Sequence, residues 1–173
     1  MHRPVWELFT DGTATSVQWT EHPPNRRFAI FSAGTPSQTD DLVWDKETGL
    51  VWPRNANLPG GAMNWLDAST TARELKLANR SGWRLPTVEE LSSLVDTRRA
   101  SPALPNGHPF LDVQFTAGYW TSTTSENPAS TPSSAAAWFV DLTSGGPGLL
   151  SKFSGSGFRW AVRAGRGGVS WNL

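Results

Sequence analysis

The sequence contains no cysteine, and this absence excludes several kinds of site at once. Without thiols a chain can form no disulfide framework, no zinc–thiolate or iron–sulfur site and no cysteine nucleophile. Because nothing in it needs oxidising, we expect the protein to fold equally well in a reducing or an oxidising compartment.

The sequence also lacks an excess of charge of one sign and long apolar runs. Fifteen basic and fifteen acidic residues give a formal net charge of zero, so the sequence lacks the basic stripe of a nucleic-acid-binding protein and we expect no nucleic-acid partner. No stretch approaches the roughly 18 apolar residues of a membrane span, and residues 1–9 lack the apolar run of a signal peptide. The compartment stays open, since cytoplasmic synthesis is compatible with later display on a cell surface or virion.

Aromatic residues, by contrast, are abundant. Ten tryptophans and eight phenylalanines supply enough apolar area for a core and argue against disorder. A length of 173 residues suits one domain, so we predict a single domain over residues 1–173.

Short runs of β-branched and aromatic residues, bounded by Gly, Pro, Ser and Asp, predict strands along much of the chain. The predicted strands are residues 5–9, 16–20, 27–31, 42–44, 50–52, 119–122, 136–142, 149–153 and 158–163. Loops and turns are predicted at residues 33–41, 46–49, 98–118, 144–147 and 154–157. Gly49 can take the positive φ that a tight connection between two strands requires.

Two helices are predicted from their capping residues. Asn64 can cap a helix over residues 65–77, whose apolar positions recur at helical spacing. Thr87-Val88-Glu89-Glu90 forms a capping box for a second helix that ends near Thr97. Helices grouped between strands, without βαβ alternation, indicate an α+β fold.

Residues 81–91, Ser-Gly-Trp-Arg-Leu-Pro-Thr-Val-Glu-Glu-Leu, are the most specific stretch of the sequence. The other conspicuous pieces are Asp45-Lys46-Glu47-Thr48-Gly49-Leu50-Val51-Trp52, Trp65 with Ala68, Tyr119-Trp120-Thr121-Ser122-Thr123, Ala137-Trp138-Phe139-Val140-Asp141 and Ala161-Val162-Arg163. Together, and in this order, they resemble a bacterial family that is named after the C-terminal domain of a collagen-like adhesin. The resemblance covers about residues 41–165.

This resemblance implies a fold similar to C-type lectins and to formylglycine-generating enzymes. In such folds two helices flank small twisted antiparallel sheets, and the C-terminal strands and loops present the binding surface. Residues 41–165 would form this core and residues 1–40 an N-terminal β extension. The family often has cysteine where this chain has Ala72 and Ala161, which is consistent with a disulfide that is absent as a unit.

Several conspicuous side chains are predicted to be structural. Trp83 and Trp120 are expected in the core. Arg84 is expected to pair with a buried acid, for which Asp67 and Glu90 are candidates, or with backbone carbonyls.

The candidate ligand surface consists of the loop at residues 121–135, the strand and turn at 149–156 and the solvent side of Trp138. Long Ser- and Thr-rich loops lie at surfaces and often carry function. The predicted ligand-binding residues are Ser125, Glu126, Asn127, Ser130, Ser133, Ser134, Trp138, Leu150, Lys152, Ser154, Ser156 and Arg159. The alternatives are a solvated connector for the loop and core packing for Trp138. Arg163 is expected to form an internal ion pair, which leaves Arg159 exposed.

We expect no metal site, no cofactor and no catalytic residues. Asp141 would need a cluster of oxygen ligands to bind calcium, and Glu126-Asn127-Pro128 has the residue types of a lectin calcium triplet in the wrong order. His2, His22 and His108 share no metal-ligand spacing. Formylglycine-generating enzymes depend on cysteine, the related iron enzymes depend on a His-rich site, and no nucleophile elbow is visible.

Three functions are compatible with these expectations. The chain resembles the variable proteins of diversity-generating retroelements, which carry C-type-lectin-like folds at their C-termini. It would then be a hypervariable receptor-binding protein for a protein or glycan on a cell or host surface. The family resemblance also implies an adhesin-type module that binds anionic polysaccharide through Lys152 and Arg159. A formylglycine-generating-like enzyme is the third, least favoured function, and the oligomeric state is left open.

Overall fold

Two antiparallel sheets and two short helices make up the part of the chain that this computed structural model describes, residues 20–21, 24–33, 38–125 and 135–165. In chain order the elements are β1 (Thr20–Glu21), β2 (Phe28–Phe31), β3 (Leu42–Asp45), β4 (Leu50–Pro53), α1 (Trp65–Glu74), α2 (Val88–Ser92), β5 (Tyr119–Ser125), β6 (Ala136–Asp141), β7 (Gly146–Ser151) and β8 (Arg163–Ala164). The predicted α+β class is confirmed. Neither described helix has the length and apolar character of a membrane span.

The first sheet has the strand order β1-β2-β3-β4-β8, and every neighbouring pair is antiparallel. Strands β2, β3 and β4 confirm the predictions at residues 27–31, 42–44 and 50–52. The predicted strand at 5–9 and all but the last residue of the one at 16–20 lie outside the described residues.

The turn between β3 and β4 is stabilised by its own residues. Gly49 has a φ of 72°, which favours glycine because it has no Cβ to clash. The carboxylate of Asp45 accepts hydrogen bonds from the backbone N–H of Glu47 and the hydroxyl of Thr48. The local sequence therefore closes this hairpin as predicted.

Helix α1 begins as predicted and ends early. The Asn64 side chain accepts the backbone N–H of Asp67 at 2.9 Å, the expected N-cap bond. The helix ends at Glu74 because Leu77 and Arg80 exchange backbone hydrogen bonds of 3.1 and 2.9 Å. The two residues between them have φ values of 50° and 57°, which no α-helix can accommodate.

Helix α2 opens with the predicted capping box. Thr87 Oγ1 accepts the N–H of Glu90 at 3.2 Å, and the Glu90 carboxylate accepts the N–H of Thr87 at 2.8 Å. The helix ends before the predicted Thr97 because the backbone N–H of Asp96 bonds to the carbonyl of Ala103 instead of an intrahelical acceptor.

The second sheet has the antiparallel order β5-β6-β7. Strand β7 begins at Gly146, three residues before the predicted Leu149, because residues 142–145 form the turn and Gly145 has a φ of 80°. Pro147 fits in this strand because an edge strand can lack an N–H on its open side.

The predicted strand at residues 158–163 is wrong over most of its length, since only its last residue belongs to a strand, β8. Phe158 donates its backbone N–H to Gly118 at 2.8 Å, whereas Val162 and Arg84 exchange two backbone bonds of 2.8 and 3.0 Å. Because neighbouring residues pair with different elements, they form isolated bridges and no continuous ladder.

Two hydrophobic clusters lie on the two faces of the second sheet. Tyr119 and Val140 are paired across β5 and β6 and belong to the first cluster. Trp120 and Ala137 face the other way and belong to the second cluster. The sheet is therefore anchored by buried side chains on both of its faces.

The second cluster confirms the structural roles predicted for two tryptophans and contains the alanines at the family's cysteine positions. Trp83 and Trp120 are buried in it. Ala72 and Ala161 lie in the same cluster with no exposed surface. The chain thus places small apolar side chains there, and both are fully packed.

Candidate functional site

The register of the second sheet places a row of side chains on one face, and all of them except the buried Val140 are at least partly exposed. Residues directly opposite each other on antiparallel strands project to the same face. The register pairs Ser125 with Ala136, Ala136 with Ser151, Trp138 with Leu149 and Val140 with Pro147. We call the accessible part of this row the outer face, and it consists of Ser125, Ala136, Trp138, Pro147, Leu149 and Ser151.

The centre of the outer face is apolar. Leu149 is 47% exposed, and Trp138 beside it is half-buried. Neither packs against the two hydrophobic clusters of the described residues. No acceptor for the Trp138 indole N–H lies among the residues that the structure describes. A tryptophan with an accessible ring and a free donor can pack against an apolar or ring-shaped ligand group and donate one hydrogen bond to it.

A rigid strand supports this face. Between Trp120 and Thr124 strand β5 shifts register against β6, and there the buried Thr121 donates its hydroxyl to the Trp138 carbonyl at 2.8 Å. Thr123 Oγ1 accepts the backbone N–H of Val88 at 3.0 Å. The start of the predicted loop 121–135 is therefore strand, fastened both to β6 and to the N-terminus of α2.

The opposite face of the sheet is closed by Phe139. Its ring lies against Gly118 and Gly148, and a Cβ added at Gly148 would lie 2.6 Å from Phe139 Cζ. Leu150 is on this face, opposite Ala137, and packs against the second cluster. The structure therefore separates the predicted ligand residue Leu150 from Trp138.

The turn after β7 continues the accessible surface. Ser154 and Ser156 are exposed as predicted, and Phe153 is 63% exposed. Lys152 is half-buried, with its Nζ 4.8 Å from the centre of the Trp65 ring. The ammonium of Lys152 is thus engaged by a cation–π contact.

Arg159 differs from its prediction. The side chain was expected at the surface, but it is only 6% exposed, and its Nη2 donates to the carbonyl of Pro59 at 2.9 Å. Its neighbours Phe158 and Trp160 belong to the first cluster, so alternation turns Arg159 toward the loop at residues 57–63. The guanidinium of Arg163 lies 5.7 Å from the Trp83 ring.

Arg84 takes one of its two predicted partners. Its two terminal nitrogens donate to the two carboxylate oxygens of Glu90, each at 2.7 Å. Hydrogen bonding to Arg84 lowers the pKa of the Glu90 carboxyl and raises that of the guanidinium. The ion pair connects Arg84 to the first turn of α2. Arg84 also forms a β-bridge with Val162.

Several residues named in the sequence are not brought into a site. Asp141 accepts the backbone N–H of Thr143 at 2.7 Å, so its carboxylate stabilises the turn after β6. His108 stacks on Phe110 with ring centroids 6.0 Å apart. Within the described ranges no three His, Cys, Asp or Glu side chains are placed to hold a metal ion. Of the residues that the sequence analysis named as candidate ligands or weighed as metal ligands, seven lie outside the described ranges: Glu126, Asn127, Ser130, Ser133, Ser134, His2 and His22.

Sequence reasoning left three exposed residues out of the predicted ligand-binding residues, although Leu149 and Phe153 lie within the predicted segment 149–156. Pro147 and Leu149 were assigned to a turn and to the start of a strand, and Phe153 to a strand end. The available signal was the alternation of Leu149 with the glycines before it, since Gly146 and Gly148 share one face and Pro147 and Leu149 the other. Only the pairing with β6 shows which of these faces is accessible.

Comparison with known proteins identifies a family. A family model described as the Lcl C-terminal domain matches residues 41–163, more than half of the chain. The search of curated proteins found no match.

Proposed function

The chain belongs to the Lcl C-terminal domain family, and from that premise we propose that it is a non-enzymatic binding module whose outer face contacts a protein or glycan on a cell or host surface. The carrying observation is the position of Trp138 beside the exposed Leu149, outside both hydrophobic clusters. A contiguous exposed apolar patch is typical of an interaction surface, and Trp138, Pro147 and Leu149 are neighbours on the outer face. Phe153 in the turn after β7 is a further exposed apolar residue, whereas Lys152 lies over Trp65.

A binding assay with matched variants tests this proposal. Fluorescently labelled protein is applied to a glycan array and to intact bacterial and animal cells. Trp138→Ala is expected to weaken the strongest interaction about 30-fold, the effect of losing ~2 kcal/mol at a central tryptophan. Leu66→Ser is the control, because Leu66 is 56% exposed on α1, away from the outer face.

Three results would contradict the proposal. Binding that is unaffected by both Trp138→Ala and Leu149→Ser would remove the outer face from the interaction. An equal loss of affinity in Leu66→Ser would show that any exposed apolar residue contributes to binding, and not the outer face in particular. Turnover detected in a substrate screen and lost on a single substitution would contradict the non-enzymatic assignment.

A hypervariable ligand surface is the finer form of this proposal. The outer face combines small side chains such as Ser125 and Ser151 with a scaffold in which Phe139 needs Gly118 and Gly148. Substitution on the outer face is therefore compatible with a constant fold, whereas substitution at the two glycines is not.

Sequencing the locus in many individuals tests hypervariability. A diversity-generating retroelement predicts a near-copy of the segment for residues 118–164, altered at adenines, with a reverse transcriptase beside it. Variation should fall on outer-face positions and on Ser154 and Ser156, while the codons of Gly118 and Gly148 stay constant. A single invariant copy would contradict this form and favour a fixed ligand.

An anionic polysaccharide is less well supported as that ligand. It was expected to bind Lys152 and Arg159, but Arg159 is buried and Lys152 already contacts the Trp65 ring. Salt-sensitive heparin binding that Lys152→Ala abolishes would restore this alternative.

A further inference from the structure

Arg159 presents an unusual combination of burial and missing partners. It is 6% exposed, and its Nη2 donates to the Pro59 carbonyl at 2.9 Å. Its Nε is fully buried and has no acceptor among the described residues. A buried donor without an acceptor is costly to a fold and calls for a compensating group.

The charge of Arg159 also lacks a partner in the described ranges. No carboxylate there lies within ion-pair distance, although Arg27, Arg54 and Arg84 each have one. Burial lowers the pKa of the Arg159 guanidinium, with no opposing charge to raise it. Because arginine stays protonated at neutral pH, Arg159 carries a buried positive charge that no carboxylate among the described residues balances.

The loop at residues 57–63 lies beside Arg159 and is partly exposed. The carbonyl of Pro59 and the bridge between Met63 and Gly157 hold the loop against the arginine segment. Gly60 and Gly61 have φ values of 113° and 62°, and a Cβ at Gly61 would meet no atom within 4 Å. The loop is therefore held beside Arg159 by a hydrogen bond and a bridge, and Gly61 within it faces open space.

We propose that Arg159 and the loop at residues 57–63 form a binding site for a carboxylate, separate from the outer face. The planar guanidinium presents parallel donors that match the two oxygens of a carboxylate. A bound carboxylate would supply the negative charge that Arg159 lacks among the described residues. This inference does not depend on the proposed function, since the outer face and Arg159 are different surfaces and each can fail without the other.

Thermal unfolding of the whole chain with sodium acetate tests the proposal against sodium chloride at equal ionic strength and pH. Acetate at several times its dissociation constant is expected to raise the Tm by about 2–4 °C above chloride. Arg159→Met should abolish this difference. Arg98→Met, which removes an exposed arginine paired with Asp96, should retain it.

A second measurement keeps the test independent of variant stability. In an acetate titration followed by NMR of the wild-type protein, the Arg159 Nε–H resonance should shift until it saturates. The Arg98 Nε–H resonance should shift no more with acetate than with chloride at equal ionic strength. The proposal is overturned if acetate and chloride give the same Tm and leave the Arg159 resonance unmoved. It is also overturned if Arg159→Met keeps the acetate effect.

Discussion

The Glu90 carboxylate connects two segments of the chain through three hydrogen bonds. It accepts two hydrogen bonds from Arg84 and one from the backbone of Thr87, so it connects the Trp83–Pro86 segment to the start of α2. The first of these partners, Arg84, holds the pKa of the Glu90 carboxyl below its ordinary value of 4.5. A depressed carboxyl pKa stabilises the folded state wherever the carboxyl is ionised.

The stability of the protein should therefore depend on pH through Glu90. Its contribution is complete above pH 4.5, the ordinary value, and disappears as the pH falls through the lower folded-state value. Glu90→Gln should be less stable than wild type near neutral pH, and the difference should shrink in acid. Urea unfolding between about pH 7 and pH 3 measures this.

The matched control is Glu89→Gln, an exposed neighbour in the same helical turn. It should follow the wild-type pH profile closely. A Glu90→Gln protein whose deficit is the same at every pH would show that the side chain acts through packing alone.

At the scale of the element, strand β7 depends on which of its glycines faces Phe139. A Cβ at Gly148 would lie 2.6 Å from the Phe139 ring, whereas a Cβ at Gly146 meets its nearest atom, Ser144 Oγ, at 3.5 Å. Both glycines have a backbone that other residues can adopt. The two positions thus differ in packing and not in backbone strain.

Gly148→Ala should destabilise the protein by about 1–3 kcal/mol, because overpacking displaces the Phe139 ring. Gly146→Ala in the same strand should change the free energy of unfolding by less than about 0.5 kcal/mol. Guanidinium denaturation of the two variants gives the comparison. Equal effects would mean that the Phe139 ring can shift to accommodate the added methyl group at little cost in stability.

At the scale of the whole molecule, the Arg27–Asp45 ion pair connects separate parts of the fold. Arg27 donates to both carboxylate oxygens of the buried Asp45, at 2.8 and 2.6 Å, and to the carbonyl of Ser93 at 2.9 Å. It thereby ties β2 and β3 to the segment after α2. The same carboxylate also closes the β3–β4 turn.

Asp45→Ala should cost about 3–5 kcal/mol, because the largely buried Arg27 loses its buried partner. The only ion pair that Arg27 keeps among the described residues is with the exposed carboxylate of Glu47 at 3.2 Å. Asp96→Ala breaks a pair whose Arg98 is largely exposed, and its effect should be much smaller. Differential scanning calorimetry distinguishes the two. Similar losses in both variants would show that burial does not set the strength of these pairs.

Much of the local structure is determined by the sequence alone. The caps at Asn64 and Thr87 and the turn at Gly49 follow from short-range patterns, because capping and positive φ are decided within a few residues. The burial of Trp120 was predicted from its aromatic side chain in a strand pattern, and residues distant in the chain provide it. The α+β order and the family also follow from such patterns. The single domain, the likeness to C-type lectins and the ligand residues in the undescribed loop stay predictions.

Only the tertiary structure decided which face of β7 is accessible, where α2 ends and that Arg159 is buried. Each depends on a partner in another segment of the chain: β6 for Leu149, Ala103 for the end of α2, and Pro59 for Arg159. A shift of one residue in strand register moves every side chain to the other face. The sequence pattern therefore places the binding surface in the C-terminal half, and only strand pairing determines which side chains form it.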